Sequence, residues 1–319
     1  MENKLELMIP ITLTDIPALK INLKYIFKYL PVKKIVLIGA DNIKNQLNDS
    51  RIEYINENEI YSQMKFENIK KILEGICGTG RRTGWYFQQF LKMAYATLCK
   101  DEYYLIWDGD TVPVRTIEFF DKKTNQPLLG YREHEKCDKP FYPVMDKLLP
   151  NKLLHKTAEE SYICEHLLVN CDVMRNLISD IENNNSLKGC YFFEKILYAI
   201  PKRYINLSGF SEFEVYSTYV QRKYPQLYKE RFWKNLRNGK TYFGNKPTAS
   251  QYKWASEEFV SLSLEDFNTQ YLISRLLCSG FFQRKFRFAT IYRIINPIYN
   301  IRYSFRLWLR DIIYRGKEK

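Results

Sequence analysis

The stretch Tyr103-Tyr104-Leu105-Ile106-Trp107-Asp108-Gly109-Asp110 decides how this chain reads. Its unbroken apolar and aromatic run predicts a buried strand, and an acid closes it at once. Side chains alternate along a strand, so Asp108 and Asp110 are expected on one face, with Gly109 leaving room for a close approach by backbone or ligand. Acids at the carboxyl end of a parallel strand stand where open α/β sheets place their ligands. Their oxygens suit a hard divalent cation, Mg²⁺ or Mn²⁺, that can clamp a diphosphate. The bland alternative is a solvated turn, since Asp and Gly both form turns, and the motif needs support from its surroundings.

Upstream, Leu5 to Ile11 is apolar enough for a first strand, and Thr14-Asp15-Ile16-Pro17 offers a helix start with proline just inside. Ala18, Leu19, Leu23, Ile26, Phe27 and Leu30 follow at helical spacing, then strands at Lys34 to Ala40 and Arg51 to Ile55. This β-α-β opening predicts an α/β fold with a parallel sheet. Residues 75–84 hold four of the 13 glycines and the pair Arg81-Arg82. The spacing is not that of a dinucleotide fingerprint and predicts a mobile cationic loop. A helix over Tyr86 to Lys100 leads into the acidic strand. Downstream, Gln126 to Arg132 and Tyr162 to Asn170 read as strands, and helices are expected over Asp172 to Asn183, over Cys190 to Ala199 and from Phe210 toward Tyr224.

The helix before the aspartates carries Gln88, Gln89 and Lys92, with Gln88 and Lys92 on one face at i,i+4. They either read a nucleotide and offset phosphate charge, or form a polar stripe facing solvent. Ser211 and Glu214 have the S-x-x-E spacing of a capping box. Glu212 is not needed for that box and is free to act as a general base toward an acceptor hydroxyl. Of the three histidines, His134, His155 and His166, the last lies in an apolar segment beside Glu165, as a core residue or as a contact to substrate. A Ser-His-Asp hydrolase is not supported, because no G-x-S-x-G elbow occurs.

The chain of 319 residues is 45% hydrophobic and 27% charged, with 25 Tyr and 20 Phe, a globular composition. The amino terminus lacks a signal-peptide pattern, and no uncharged run exceeds nine residues, too short to span a bilayer as a helix. Seven scattered cysteines without a C-x-x-C pair argue against structural zinc and against a disulfide framework, so a reducing cytosol is the expected home. Of the net charge of +13, residues from Phe281 to Lys319 supply +8, ten Lys/Arg less two acids. In that tail Ile298, Ile301, Phe305, Trp308 and Ile312 form one helical stripe, and Arg302, Arg306 and Arg310 recur beside it. Such a helix suits an anionic membrane surface, or it packs on the body with its arginines solvated.

Taken together, Gly84-Trp85-Tyr86-Phe87-Gln88-Gln89-Phe90-Leu91-Lys92, Trp107-Asp108-Gly109-Asp110-Thr111 and Ser211-Glu212-Phe213-Glu214-Val215-Tyr216 resemble a family of bacterial GT-A-type glycosyltransferases long filed as of unknown function. The Glu165-His166 pair is similar to that family's histidine-bearing strand. The resemblance spans residues 5 to 225 and implies a GT-A, Rossmann-like fold over residues 1–255, followed by a helical basic appendage over 256–319. It implies that Asp108 and Asp110 hold Mn²⁺ or Mg²⁺ on the diphosphate of a nucleotide sugar, the donor substrate. Thr12, Arg81, Arg82, Gln88, Gln89, Lys92 and Asp108 are then the expected donor-binding set. Glu212, with Glu214 and His166 behind it, is the expected catalytic group. The acceptor is expected to be a glycan or lipid-linked species in lipopolysaccharide or capsule synthesis at the inner membrane face, with residues 281–319 on the anionic membrane and no nucleic acid involved. Two rivals remain: a nucleic-acid binder using the basic aromatic tail, and an inactive assembly partner with the same fold.

Overall fold

The computed structural model describes residues 4–133, 139–265 and 268–315. His134 and Cys137 lie outside the described residues, as do the side chains of Arg306, Arg310 and Ile312. The chain forms two compact units, residues 1–109 with 117–233, and residues 110–116 with 234–319.

The first unit opens with β1 (Leu5–Pro10), α1 (Ile16–Tyr29), β2 (Val32–Gly39) and β3 (Ile52–Asn56), then α2 (Phe66–Cys77), α3 (Thr83–Ala94) and β4 (Tyr103–Trp107). The chain contributes β5 (Thr111–Pro113) to the second unit and returns with β6 (Leu128–Tyr131), α4 (Tyr142–Leu148), β7 (His166–Asn170) and α5 (Cys171–Glu182). After α6 (Phe192–Ala199) and α7 (Lys202–Ile205) come α8 (Glu212–Lys223) and β8 (Lys229–Phe232).

The main sheet has the order β3-β2-β1-β4-β7. The first four strands run parallel, and β7 pairs antiparallel with β4. The α/β class and the parallel opening match the sequence reading; the antiparallel edge was not anticipated. β7 is also shorter than the Tyr162 to Asn170 segment suggested. Glu165 adopts a left-handed φ of 59°, which a strand cannot carry, so pairing begins only at His166. The order reverses between β1 and β4, and the carboxyl ends of those two strands flank the switch point where open α/β sheets bind ligands.

α3 starts at Thr83, three residues earlier than its apolar pattern indicates, and becomes a 3₁₀ turn after Ala94. Its Tyr86, Phe87, Phe90, Leu91 and Met93 join Met8, Ile106, Phe192, Phe210 and Tyr216 in one continuous core. Gly39 ends β2 where a methyl group would run into the Ile11 carbonyl oxygen, so the β1 and β2 ends close on each other only because no Cβ intervenes.

In the second unit, β5, β9 (Asn235–Leu236) and β10 (Ser261–Ser263) form a small sheet with β10 in the middle. Thr111 Oγ1 and Ser263 Oγ lie 2.8 Å apart across it. Around the sheet come α9 (Gly239–Phe243), α10 (Ala249–Ala255), α11 (Leu272–Leu277), α12 (Gly280–Lys285) and α13 (Phe288–Arg315). The first turns of α13 are fixed by Phe288, which meets the rings of Tyr242, Phe243, Trp254 and Phe259.

Candidate active site at the carboxyl edge of the sheet

α3 is apolar around most of its circumference, so its polar residues need partners. Lys92 is 4% exposed and places Nζ 2.7 Å from Asp108 Oδ1 and 2.9 Å from Glu212 Oε1, whose side chain is 3% exposed. The Phe213 ring centroid lies 4.6 Å from the same ammonium. One turn earlier, Gln89 accepts from the Glu212 backbone N–H at 3.4 Å and donates to the Trp85 carbonyl at 3.3 Å. The residues that converge are therefore Gln89 and Lys92, at i,i+3, rather than Gln88 and Lys92. The polar stripe of α3 is buried against α8.

Electrostatics tie these groups into one unit. Burial works against the Lys92 charge, but the Asp108 and Glu212 carboxylates outweigh it and hold the ammonium's pKa above its usual range. Burial also pushes the Glu212 carboxyl up, and this exceeds the downward pull of Lys92, with Asp108 adding to the rise. Asp108 is different, with a quarter of its side chain open to solvent. The turn after it is held by Asn22 of α1, which is buried and donates to the Gly109 carbonyl at 2.9 Å. Sequence reading missed Asn22. The available signal was a polar residue on the helix face that also carries Leu19 and Ile26.

A cavity of about 290 Å³ opens at the ends of β1 and β2, walled by Thr12, Asn42, Glu57, Phe66, Phe87 and Gln88 among others. Gln88 thus faces this cavity while Lys92, one turn on, faces Asp108. Burial raises the Glu57 carboxyl above its usual pKa. Thr12 and Asp15 cap each other reciprocally in the turn after β1. Phe66 and Phe87 meet edge to face at 5.6 Å. Arg82 stacks its guanidinium 4.4 Å above the Trp85 ring, and Arg81 is exposed, with its N–H held by Thr79 Oγ1 at 3.3 Å.

The other expected residues are placed elsewhere. Glu214 is fully buried on another side of α8, accepting from Lys156 Nζ at 2.7 Å and from Ser161 Oγ and the Tyr162 N–H at 3.0 Å each. Only half of the anticipated capping box forms: the Ser211 hydroxyl accepts from the Glu214 N–H, while the Glu214 carboxylate turns to the 156–162 loop. His166 is 2% exposed in an aromatic cage, with Trp233 at 3.9 Å and Phe119 at 5.6 Å. Burial and the nearby Arg231 charge lower its pKa to about 3, so it is a neutral ring at physiological pH. β4 stops at Trp107 and residues 109–110 form a turn, so the two-residue strand period does not extend from Asp108 to Asp110. A methyl at Gly109 would meet Ile9 Cγ2 at 3.4 Å and Ile11 Cδ1 at 3.9 Å, ordinary contacts. Asp110 opens the second unit, where its carbonyl accepts from the Leu264 N–H at 3.0 Å and its Oδ1 from Thr111 Oγ1 at 3.3 Å.

As a donor for a hard cation, Asp108 fits: it is a partly exposed carboxylate with only Oδ1 engaged by Lys92. A second group, Glu6, Cys99 and Asp101, brings three potential ligands close together. It belongs to the other end of the sheet, since Glu6 pairs with Tyr104 at the start of β4. Its carboxylates are already neutralised, Glu6 by Lys34 at 3.0 Å and Asp101 by Lys33 at 2.5 Å, so a divalent cation there would have to displace two lysines.

Residues 2–251 match the model of a family of unknown function (DUF6492). No curated protein matches. Among solved structures, mouse xyloside xylosyltransferase 1 aligns over 85% of this chain and 100% of its own at 10% identity and a TM-score of 0.43. The glycosyltransferase GlyE of Streptococcus pneumoniae TIGR4 aligns over 86% of this chain and 60% of its own, at 12% identity and 0.39. The bifunctional glycosyltransferase WbbM aligns over 84% and 47%, at 11% identity and 0.41. The chain thus spans less than two thirds of the latter two proteins.

Proposed function

The chain belongs to the DUF6492 family, and we propose that it is a GT-A-type, metal-dependent glycosyltransferase that moves a sugar, in the hexosyltransferase manner, from a nucleotide-diphosphate sugar to a hydroxyl acceptor. The observation that carries this reading is the buried bridge from Lys92 to Asp108 and Glu212 at the carboxyl end of β4, one helical turn from the cavity that Gln88 helps to wall. A buried cation at that edge has a use toward a diphosphate that a structural ion pair alone does not explain.

The roles follow from position. The cavity's aromatic and polar walls suit a nucleoside, with base against Phe66 or Phe87 and ribose hydroxyls donating to a carboxylate such as Glu57. Asp108 and, one residue beyond Gly109, Asp110 are the carboxylates assigned to Mn²⁺ or Mg²⁺. When bound, the cation offsets charge developing on the leaving diphosphate. Lys92 fixes the Asp108 carboxylate through Oδ1 and supplies positive charge beside the phosphates. Arg81 and Arg82 lie on the loop that leads into α3 and are positioned to add to it.

Glu212 backs Lys92 and sets its position. If Lys92 shifts its bond toward the incoming phosphates, Glu212 becomes the base that takes the proton of the acceptor hydroxyl as the sugar's anomeric C–O bond to the diphosphate breaks. Its elevated pKa suits that duty better than an ordinary carboxylate would. Glu214 and His166, enclosed in the core, serve that geometry indirectly. The acceptor we assign is glycan or lipid-linked, in bacterial lipopolysaccharide or capsule synthesis. The protein then works peripherally on the inner face of the cytoplasmic membrane through residues 281–319; no helix among the described residues is long and apolar enough to cross a membrane.

The test is a thermal-shift panel of nucleotide sugars with and without Mn²⁺, followed by hydrolysis or transfer assays on the donor found. Ligand at about 100 times its Kd adds roughly 2.7 kcal/mol of stability, a clear upward shift. Asp108→Ala is expected to abolish the metal-dependent part of the shift and the turnover. Unchanged turnover in Asp108→Ala/Asp110→Ala would remove this mechanism.

A further inference from the structure

We propose that α11, α12 and α13 build a lipid-binding surface, with an insertion face shared by the three helices and a cavity for the phosphate of an anionic phospholipid headgroup at Arg302. The proposal rests on the peripheral-membrane part of the reading above. It gives that part a definite surface and extends it upstream of residue 281.

Charge comes first. Residues 267–310 contain no Asp or Glu and eight Lys/Arg. Arg275, Arg284, Lys285, Arg293 and Arg302 are all exposed, and among the described residues no ion pair engages them. Surface cations in a soluble domain ordinarily alternate with acids. A run this one-sided is complementary to an anionic leaflet, toward which each basic side chain contributes independently.

Apolar exposure lies in the same helices. Leu272 is 82% exposed and Leu276 63%, one turn apart on α11, with Phe281 and Phe286 exposed at either end of α12. On α13, Ile301, Phe305 and Trp308 stand exposed at spacings of four and three, with the Phe305 and Trp308 rings 5.6 Å apart. Single exposed apolar residues are common, but a set concentrated in three successive helices with unpaired arginines is the composition of an interfacial helix.

The cavity supplies the specific part. Thr269, Gln270, Tyr271, Ile273, Ile298 and Arg302 line a recess of about 370 Å³ between the start of α11 and the middle of α13. The Arg302 guanidinium sits 4.7 Å from the Tyr271 ring centroid, so one planar face is held by the aromatic ring and its N–H edges remain for an anion. Arginine with flanking hydroxyl and amide donors suits a phosphate diester, while the isoleucines and Leu272 suit the first methylenes of an acyl chain.

The experiment uses the full chain with vesicles of phosphatidylcholine alone or with 30% phosphatidylglycerol, the latter brominated along its acyl chains. Trp308 is the exposed one of the five tryptophans, so bromine quenching reports insertion of α13 in the unaltered protein. Expected results are flotation and quenching with the anionic vesicles only. Leu272→Ser/Leu276→Ser/Phe281→Ser, all at exposed positions, is expected to lower partitioning at least tenfold, and Arg302→Gln about fivefold, with Tm unchanged.

Equal binding to neutral vesicles, absence of quenching, displacement by millimolar inorganic phosphate, or tighter retention by single-stranded nucleic acid would each overturn the proposal. The donor panel separates this result from the enzymatic reading. Anionic-vesicle binding with no response to any nucleotide sugar sinks the transferase and leaves this surface standing; donor turnover without vesicle binding does the reverse.

Discussion

Replacing Lys92 by methionine tests the centre of the site most sharply, because methionine keeps much of the stem's volume and removes only the charge. In the folded protein the ammonium lies 2.7 Å from one carboxylate and 2.9 Å from another. At an effective dielectric of about 20, each pair of unit charges near 4 Å is worth roughly 4 kcal/mol gross. Most of this offsets the desolvation of three charged groups. Stripping one partner from a buried pair nonetheless costs about 3–5 kcal/mol, since the stranded carboxylate stays buried. Lys92→Met should therefore lose about 4 kcal/mol near pH 7.5, read from urea unfolding followed by tryptophan fluorescence.

Adding Glu212→Gln should return about 2 kcal/mol or more of that loss, because the amide needs no counter-charge. The pH dependence has a definite sign. Glu212 already has a raised pKa, and without the ammonium it rises further. A carboxyl raised in the folded state stabilises below its unfolded pKa and loses that contribution as pH climbs through the folded one. The deficit of Lys92→Met should thus widen from pH 5 to pH 8. A cost under about 1 kcal/mol, with strictly additive single and double variants, would refute the claim that the three side chains act as one unit.

The His166 pKa is lowered to about 3, so the unfolded chain takes up a proton below about 6.5 while the folded chain does not. Stability should fall by about 1.4 kcal/mol per pH unit across that window, and His166→Phe, which keeps a ring in the cage, should flatten the slope in urea titrations at pH 6, 5 and 4. Glu214→Ala strands Lys156 in the core and should cost about 3–5 kcal/mol in unfolding free energy. Donor binding by the folded variant should persist, whereas a base at Glu214 would instead show as lost turnover with stability retained.

What the sequence disclosed and what it withheld divide along physical lines. β4 and its terminal acid were legible because an apolar run stopped by Asp is a local pattern, and the Ser211 cap of α8 was legible for the same reason. The destination of a side chain is not local. Gln89 and Lys92 look like solvent-facing polar residues until α8 covers them. Glu214 looked like a cap member because its true partners lie more than 50 residues away in the 156–162 loop. The start of β7 at His166 follows the left-handed Glu165, a conformation that no residue type announces. The motif reading puts Gln88 in the donor set and the structure sets it in a cavity wall; composition has no means of finding Glu57 beside the same edge.

The excursion that forms β5 has a practical result. That strand is covalently continuous with the Asp108 turn, yet in the three-stranded sheet it stands at an edge and pairs with β10, some 150 positions later. A chain clipped at residue 255 would keep every motif that suggests catalysis and still leave Thr111 to Pro113 as an orphaned edge, loosening the ribbon just after the acid that matters most. Shortened versions of this protein should retain Ser261 to Ser263, and the basic helices are best silenced by point changes rather than by amputation.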